Sequence, residues 1–290
     1  MRATLIHNPS AGEGGHGAEE LLAELHSAGI FATAYTRKSD AIGQALTDPG
    51  ALVVIAGGDG TVADVLKDLP RRDVAVGILP LGTANNIARS FGIAGEPSSL
   101  MAGWRNAARR ELRVGVAQGS WGTQRFVEGV GFGALAQMAA EQSARPEPST
   151  QRLRQGRAWL HAILRDAVPA ALTLEADGQA VEGPFLLAEV LNIACIGPNL
   201  CLAPGADPAD AMLDIVVVTP AERTAMLAWL LGGTDGPPPV RRLAARRVRV
   251  EWQGVPLHVD DEFPEEEAGR CDLQLEEQPI TVLVPDGTQR

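Results

Sequence analysis

Three stretches of this sequence set glycines and small polar residues where an apolar run ends. The strongest follows the apolar residues 51–56 and reads Gly57-Gly58-Asp59-Gly60-Thr61. Glycines let a backbone turn sharply and come close to a ligand. A helix opening there offers free N–H groups and the positive end of its dipole, which together bind phosphate. Thr61 reads as the N-cap of that helix, with Asp64 three positions on as in a capping box. Asp59 is the odd member, because a carboxylate beside a phosphate repels it unless Mg²⁺ or hydrogen bonds engage it. The second stretch, Pro80-Leu81-Gly82-Thr83-Ala84-Asn85-Asn86, again follows an apolar run, and the spacing predicts a helix from Thr83 with two asparagines in its first turn. The third, Asn8-Pro9-Ser10-Ala11-Gly12-Glu13-Gly14-Gly15, follows the first apolar run. Any one of these is explained by a capped turn. Three together point to a nucleotide pocket. The G-x-x-x-x-G-K pattern is absent, which excludes a P-loop, and no G-x-G-x-x-G follows the first strand, which weakens a dinucleotide oxidoreductase.

The elements that must position these loops are legible as short apolar runs alternating with helical patterns. Strands are predicted at residues 3–6, 30–36, 51–56 and 74–79, with helices at 18–25, from Thr61 and from Thr83. Buried strands alternating with helices predict a parallel, Rossmann-like α/β sheet over residues 1–115. If its strands are neighbours, the loops gather at the carboxyl edge of the sheet, where ligands bind. Beyond that the character changes. Strands are predicted at 114–116, 126–130, 172–174, 185–193, 212–218, 248–252, 257–259, 272–275 and 280–284, with helices at 151–167 and 221–231. Several alternate with period two, as in Val248, Val250 and Trp252 against Arg249 and Glu251, so residues 116–290 read as a mostly antiparallel β domain. The final ~10 residues are expected to return to the first domain. Residues 232–239 (GGTDGPPP) read as a loop.

With 290 residues the chain has room for these two domains. Its net charge of −11, from 25 Lys+Arg against 36 Asp+Glu, argues against nucleic acid as a partner. The three cysteines, 195, 201 and 271, show no C-x-x-C spacing, so inert thiols are expected. No apolar run approaches the ~20 residues of a membrane span, so a cytoplasmic protein is expected, touching membranes at most peripherally at their inner face. The cluster Arg241, Arg242, Arg246, Arg247, Arg249 and the trio Arg152, Arg154, Arg157 read as solvated faces or as contacts for lipid headgroups.

Taken in order, Asn8-Pro9…Gly12, Gly57-Gly58-Asp59-Gly60-Thr61 and Pro80-Leu81-Gly82-Thr83-Ala84-Asn85-Asn86 resemble the signature stretches of the diacylglycerol kinase catalytic-domain family, whose relatives include sphingosine and NAD kinases. Val130-Gly131-Phe132-Gly133, Asn192…Gly197, Ala203-Pro204 and Asp210-Ala211-Met212-Leu213-Asp214 resemble its later landmarks. The resemblance implies an α/β nucleotide domain with a β-sandwich-like domain, and an ATP- and Mg²⁺-dependent kinase acting on a hydroxyl of a lipid such as diacylglycerol. It implies that Asn8, Pro9, Ser10, Gly12, Gly57, Gly58, Asp59, Gly60, Thr61, Gly82, Thr83 and Asn86 hold the nucleotide, with Thr36, ahead of Asp40, as a further contact. A structural Mg²⁺ would sit on Asp210 with help from Asp207 and Met212, since hard oxygen ligands suit that ion. Val259-Asp260-Asp261-Glu262 occupies the place of the Asp-Gly-Glu motif, so Glu262 is the implied base and Asp260 its orienting partner, both on one face if the segment is extended.

Two departures stand out. Asp261 replaces a glycine, and facing ATP at ~6 Å it would cost about 3 kcal/mol per phosphate charge at an effective dielectric of ~20. Ala211 replaces the glycine after the metal aspartate. They keep open a non-catalytic nucleotide- or lipid-binding protein, and the Gly-Gly-Asp-Gly-Thr turn alone also suits an NAD kinase. The acceptor lipid is not set by the sequence, nor is the oligomeric state, a homodimer among the options.

Overall fold

The computed structural model describes residues 1–11, 16–39, 41–144, 149–232 and 236–286. The chain divides into two compact units, Met1–Val114 together with Glu277–Arg290, and Gly115–Glu276. The first contains β1 (Arg2–His7), α1 (Ala18–Ser27), β2 (Phe31–Thr36), α2 (Ile42–Thr47), β3 (Leu52–Gly57), α3 (Asp59–Asp68), β4 (Ala75–Pro80), α4 (Asn86–Ser90), α5 (Pro97–Gly103) and β5 (Ala108–Leu112). The second contains β6 (Gly115–Gly119), β7 (Gly122–Phe126), β8 (Gly129–Gly133), α6 (Ala134–Ser143), α7 (Ser149–Asp166), β9 (Ala171–Ala176), β10 (Gln179–Val181), β11 (Leu187–Leu191), β12 (Leu213–Val218), α8 (Arg223–Leu231), β13 (Arg241–Ala245), β14 (Arg247–Gln253), β15 (Leu257–Val259) and β16 (Ala268–Leu275). The last strand, β17 (Ile280–Val284), belongs to the first unit.

The sheet of the first unit has the order β2-β1-β3-β4-β17-β5. Strands β2, β1, β3 and β4 are parallel, and β17 runs parallel to β4 and antiparallel to β5. Every residue of β3 is buried, as expected for a strand covered on both faces. Leu21 and Leu25 of α1 and Val62, Val65 and Leu66 of α3 are buried among the cover. Because β2 lies to one side of β1 and β3 to the other, the winding reverses between β1 and β3. That reversal is where open α/β sheets leave a crevice for ligands.

The second unit holds two antiparallel sheets, β10-β9-β14-β16-β6-β7 and β13-β12-β11-β8-β15. Their facing sides share Phe126, Phe132, Val190, Ile215, Val250 and Trp252. The opposite side of the five-stranded sheet is covered by helices, through Met138, Leu160, Leu164 and Met226 packed on Leu187 and Val216. The two-domain class expected from the sequence is the observed one, with a mostly parallel α/β sheet in one unit and antiparallel sheets in the other.

Several local expectations are corrected. Thr61 is not an N-cap: α3 opens two residues earlier, with Gly58 in the cap position. Thr83 does not open a helix: the chain makes a turn through Asn85, at φ 51°, and α4 begins at Asn86. The apolar run 126–130 divides into β7 and β8 with a bend between, and residues 260–262 form a turn rather than an extended segment. Cys195 and Cys201 are joined in a disulfide across a short hairpin, contrary to the expectation of inert thiols. Cys271 is a buried free thiol whose pKa burial pushes up to about 12. Gly12 and Asp40, residues 233–235 and the side chains of Arg152 and Arg154 lie outside the described residues. Among the described residues no helix is long and apolar enough to cross a membrane.

Candidate active site

In the first unit the strand-end loops are tied to one another. The Asn8 backbone N–H donates to the Ala56 carbonyl at 3.0 Å, and its side-chain amide donates to Thr61 Oγ1 at 2.9 Å. These two bonds cross the gap between β1 and β3. Asn8 Oδ1 also accepts the Ser10 N–H at 3.1 Å, which curls Pro9 and Ser10 back, both exposed. The loops after β3 and β4 meet backbone to backbone: a Cβ on Gly58 would stand 3.1 Å from Gly82 Cα, and one on Gly82 would collide with Gly58. The Leu81 N–H donates to the Gly57 carbonyl at 3.0 Å in the same seam. Asn85, an odd residue for the helix expected there, staples the second turn, its Oδ1 accepting the Gly82 N–H at 2.9 Å and its Nδ2 donating to the Gly82 carbonyl at 2.7 Å.

Asp59 explains itself here. Its Oδ1 accepts the Ile87 N–H at 2.9 Å, so the carboxylate serves the start of α4, where helical N–H groups lack intrahelical partners. Burial raises its pKa above the usual carboxylate value, against the pull of the backbone N–H groups of Ile87, Asn86 and Asn85. Asn86 is itself buried. Gly60 and Thr83 are half-buried in the two loops. Thr36 ends β2, in register with His7 on β1, and its carbonyl accepts the Ser39 N–H at 2.9 Å.

In the second unit Asp260 and Glu262 occupy one tight turn. Val259 and Glu262 exchange two backbone hydrogen bonds, at 2.9 and 3.0 Å. Asp260 takes the left-handed φ of 51°, and Asp261, exposed at the tip, does not. The glycine-to-Asp261 departure therefore carries no left-handed strain. The Asp260 carboxylate accepts the N–H groups of Val127, Glu128 and Gly129 at 2.8–3.2 Å, which pins the turn to the bend between β7 and β8. Glu262 Oε2 accepts the Gln124 side-chain amide at 2.6 Å. Gln124 had no sequence signal, lying 138 positions away on an exposed strand.

Asp207, Asp210 and Met212 lie in the loop before β12. Asp210 Oδ1 accepts the Met212 N–H at 2.9 Å, Asp207 Oδ1 accepts the Ala209 N–H at 3.2 Å, and the Asp210 N–H donates to the Asp207 carbonyl at 3.0 Å. Ala211 between them has φ 57°. Among the described residues no group of three or more His, Cys, Asp or Glu side chains could hold a metal. The loop offers one or two carboxylates with backbone oxygens, a donor set suited to a largely hydrated Mg²⁺ rather than to an all-protein cage. Of the basic cluster, Arg242 pairs with Asp214 at 2.7 Å, Arg249 pairs with Asp272 at 2.7 Å and Arg241 donates to the Glu182 carbonyl, so these three are engaged within the unit.

Comparison with known proteins bears on both units. Residues 2–117 match the diacylglycerol kinase catalytic domain, and residues 127–284 match the YegS C-terminal NAD kinase beta sandwich-like domain. A diacylglycerol kinase of Mycobacterium tuberculosis is 29% identical over 224 residues, 73% of this chain and 70% of that protein. A Pseudomonas aeruginosa protein named "Probable lipid kinase YegS-like" is 30% identical over 231 residues, 76% of this chain and 72% of its own length. The fold is shared with a solved diacylglycerol kinase from Bacillus anthracis str. Sterne, at a TM-score of 0.71 and 20% identity over 99% of this chain and 98% of that one.

Proposed function

Because the chain belongs to the diacylglycerol kinase family of lipid kinases, we propose that it transfers the γ-phosphoryl group of ATP to a hydroxyl of a membrane-derived lipid such as diacylglycerol. One observation carries the nucleotide half of this reading. The loops after β1 and β3 are joined by Asn8 and Thr61 across the switch point of a parallel sheet, and those after β3 and β4 meet beside it at the Gly58–Gly82 contact. Turned-back glycine loops beside a helix start bind phosphate through backbone N–H groups, and Asp59, tied to α4, does not need to face the ligand.

In the chemical half, Glu262 accepts the proton of the lipid hydroxyl as it attacks in line. Gln124 holds the carboxylate, and Asp260 holds the turn that carries it. A structural Mg²⁺ would be held by Asp210 with oxygens of Asp207 and Met212, and Mg²⁺ bound with the nucleotide supplies neutralisation of phosphate charge. The competing reading is a nucleotide- or lipid-binding protein without turnover, favoured by the left-handed Ala211 in the metal loop.

The test is ATP turnover with Mg²⁺ against a panel of lipid alcohols in mixed micelles, with Glu262→Ala alongside. Phosphorylated lipid from the natural chain, reduced ~10²–10⁴-fold in the variant, supports the kinase and its base. ATP binding without product on any acceptor selects the binding protein. Product with NAD in place of lipid selects an NAD kinase.

A further inference from the structure

One row of the five-stranded sheet is built around a missing side chain. Glu189 on β11 and His258 on β15 are each the cross-strand neighbour of Gly131 on β8. A Cβ at Gly131 would collide with the Glu189 carboxylate and the His258 ring. Its absence lets the two side chains meet over the middle strand, with His258 Nε2 3.1 Å from Glu189 Oε2. Both residues are buried, at 3% and 0% exposure. Their strand neighbours Ala188, Val190, Leu257 and Val259 face the other sheet, so by alternation the pair lies on the helix-covered side.

The other ring nitrogen, His258 Nδ1, is 2.9 Å from the Asp260 carbonyl oxygen. A carbonyl only accepts, so Nδ1 carries a proton in this contact. Nε2 faces the Glu189 carboxylate. Apolar packing usually stabilises a buried position as well as an ion pair does. What an apolar residue at 258 would lack is a donor to the Asp260 carbonyl. That peptide needs an anchor: Asp260 is in a left-handed conformation, which L-residues rarely hold without local hydrogen bonds. Its rotation would swing Asp261 and Glu262. The Asp260 side chain holds one end of the turn through the amides of residues 127–129, and His258 holds the other.

We propose that His258 is a positioning residue for the turn that carries Glu262, donating from Nδ1 to the Asp260 carbonyl while Glu189 fixes the ring from behind. The proposal rests on the reading of Glu262 as the base. Burial opposes a charge on the ring, but the Glu189 carboxylate and the Asp260 carbonyl together outweigh it and raise the pKa of His258.

Asparagine at 258 sets its amide where Nδ1 was and no longer reaches Glu189. Glutamine reaches Glu189 and gives up the Nδ1 position. Both are made with Glu189→Gln, so that no lone carboxylate is left buried, and kcat, KM for ATP and Tm are measured beside Glu262→Gln. The expected result is a kcat ~10–100-fold lower for His258→Gln than for His258→Asn, with KM for ATP unchanged and similar Tm values. Equal kcat in the two variants, or kcat that simply follows Tm, overturns the positioning role. If Glu262→Gln keeps full turnover, the base assignment falls and the positioning role with it. If it loses turnover while the two His258 variants match, only the positioning role falls. Should the double variants not fold, nitrogen-15 NMR of the natural chain decides: a protonated His258 Nδ1 supports the proposal, and an unprotonated one overturns it.

Discussion

Asn8 donates its side-chain amide to Thr61 Oγ1 across the reversal point of the parallel sheet, joining two loops that are 53 residues apart in the chain. The bond is side chain to side chain and partly buried, so removing either partner leaves a polar group to find another. Asn8→Ala and Thr61→Val are each expected to cost about 1 kcal/mol of stability, and the double variant less than the sum. KM for ATP rises in all three. A double-mutant cycle on urea unfolding with parallel ATP titrations checks this, and additive losses would show that the bond does not couple the loops.

The Gly58–Gly82 contact leaves no room for a methyl group on Gly82. Gly82→Ala must push two backbones apart, at about 1–3 kcal/mol, and open the seam between the loops after β3 and β4. We expect ~10-fold weaker ATP binding by calorimetry, about 1.4 kcal/mol, because the parted loops no longer present their N–H groups together. Gly17→Ala is the control, because a Cβ there meets nothing within 4 Å.

Ala211 has the left-handed backbone that glycine adopts freely. Ala211→Gly should relieve strain and stabilise the second unit by up to about 1 kcal/mol, less glycine's entropy in the unfolded chain. Differential scanning calorimetry reads the change, and a lower Tm would mean that neighbours compensate for the conformation.

The Glu189–His258 pair predicts a sign for pH dependence. The folded-state pKa of His258 is raised above 6.5, so the folded chain holds its proton where the unfolded chain has released it. The stability this provides is complete below pH 6.5 and is lost as pH rises through the folded pKa. Glu189→Gln removes the carboxylate that raises it. The advantage of the natural chain over this variant should therefore shrink as pH climbs above 6.5, in urea unfolding at a series of pH values. An advantage that grows with pH would reverse the assignment.

What the sequence revealed depended on whether the signal was local. The buried run of β3 and the alternation of β14 were legible because each residue's environment repeats along its own strand. The glycine loops at the strand ends were legible for the same reason, as glycine and asparagine cluster where the chain turns. Helix starts were misplaced at Thr61 and Thr83 because threonine is a good cap, and here glycine and asparagine took that position. Strand β13 was hidden inside a run of arginines, and α6 among alanines that suit many environments. Gln124 and the Glu189–His258 pair depend on pairings between strands far apart in sequence. The available hint was a glutamate in the middle of the apolar strand Leu187–Leu191.

The placement of β17 has a further consequence. It lies between β4 and β5, so until residues 280–284 exist, β4 has an open edge and β5 has no partner. During synthesis the glycine loops emerge early, yet the sheet beneath them closes only after the whole of Gly115–Glu276 has been made. A ribosome stalled anywhere in that stretch carries a nascent chain with an unsealed sheet edge, which is a template for aggregation.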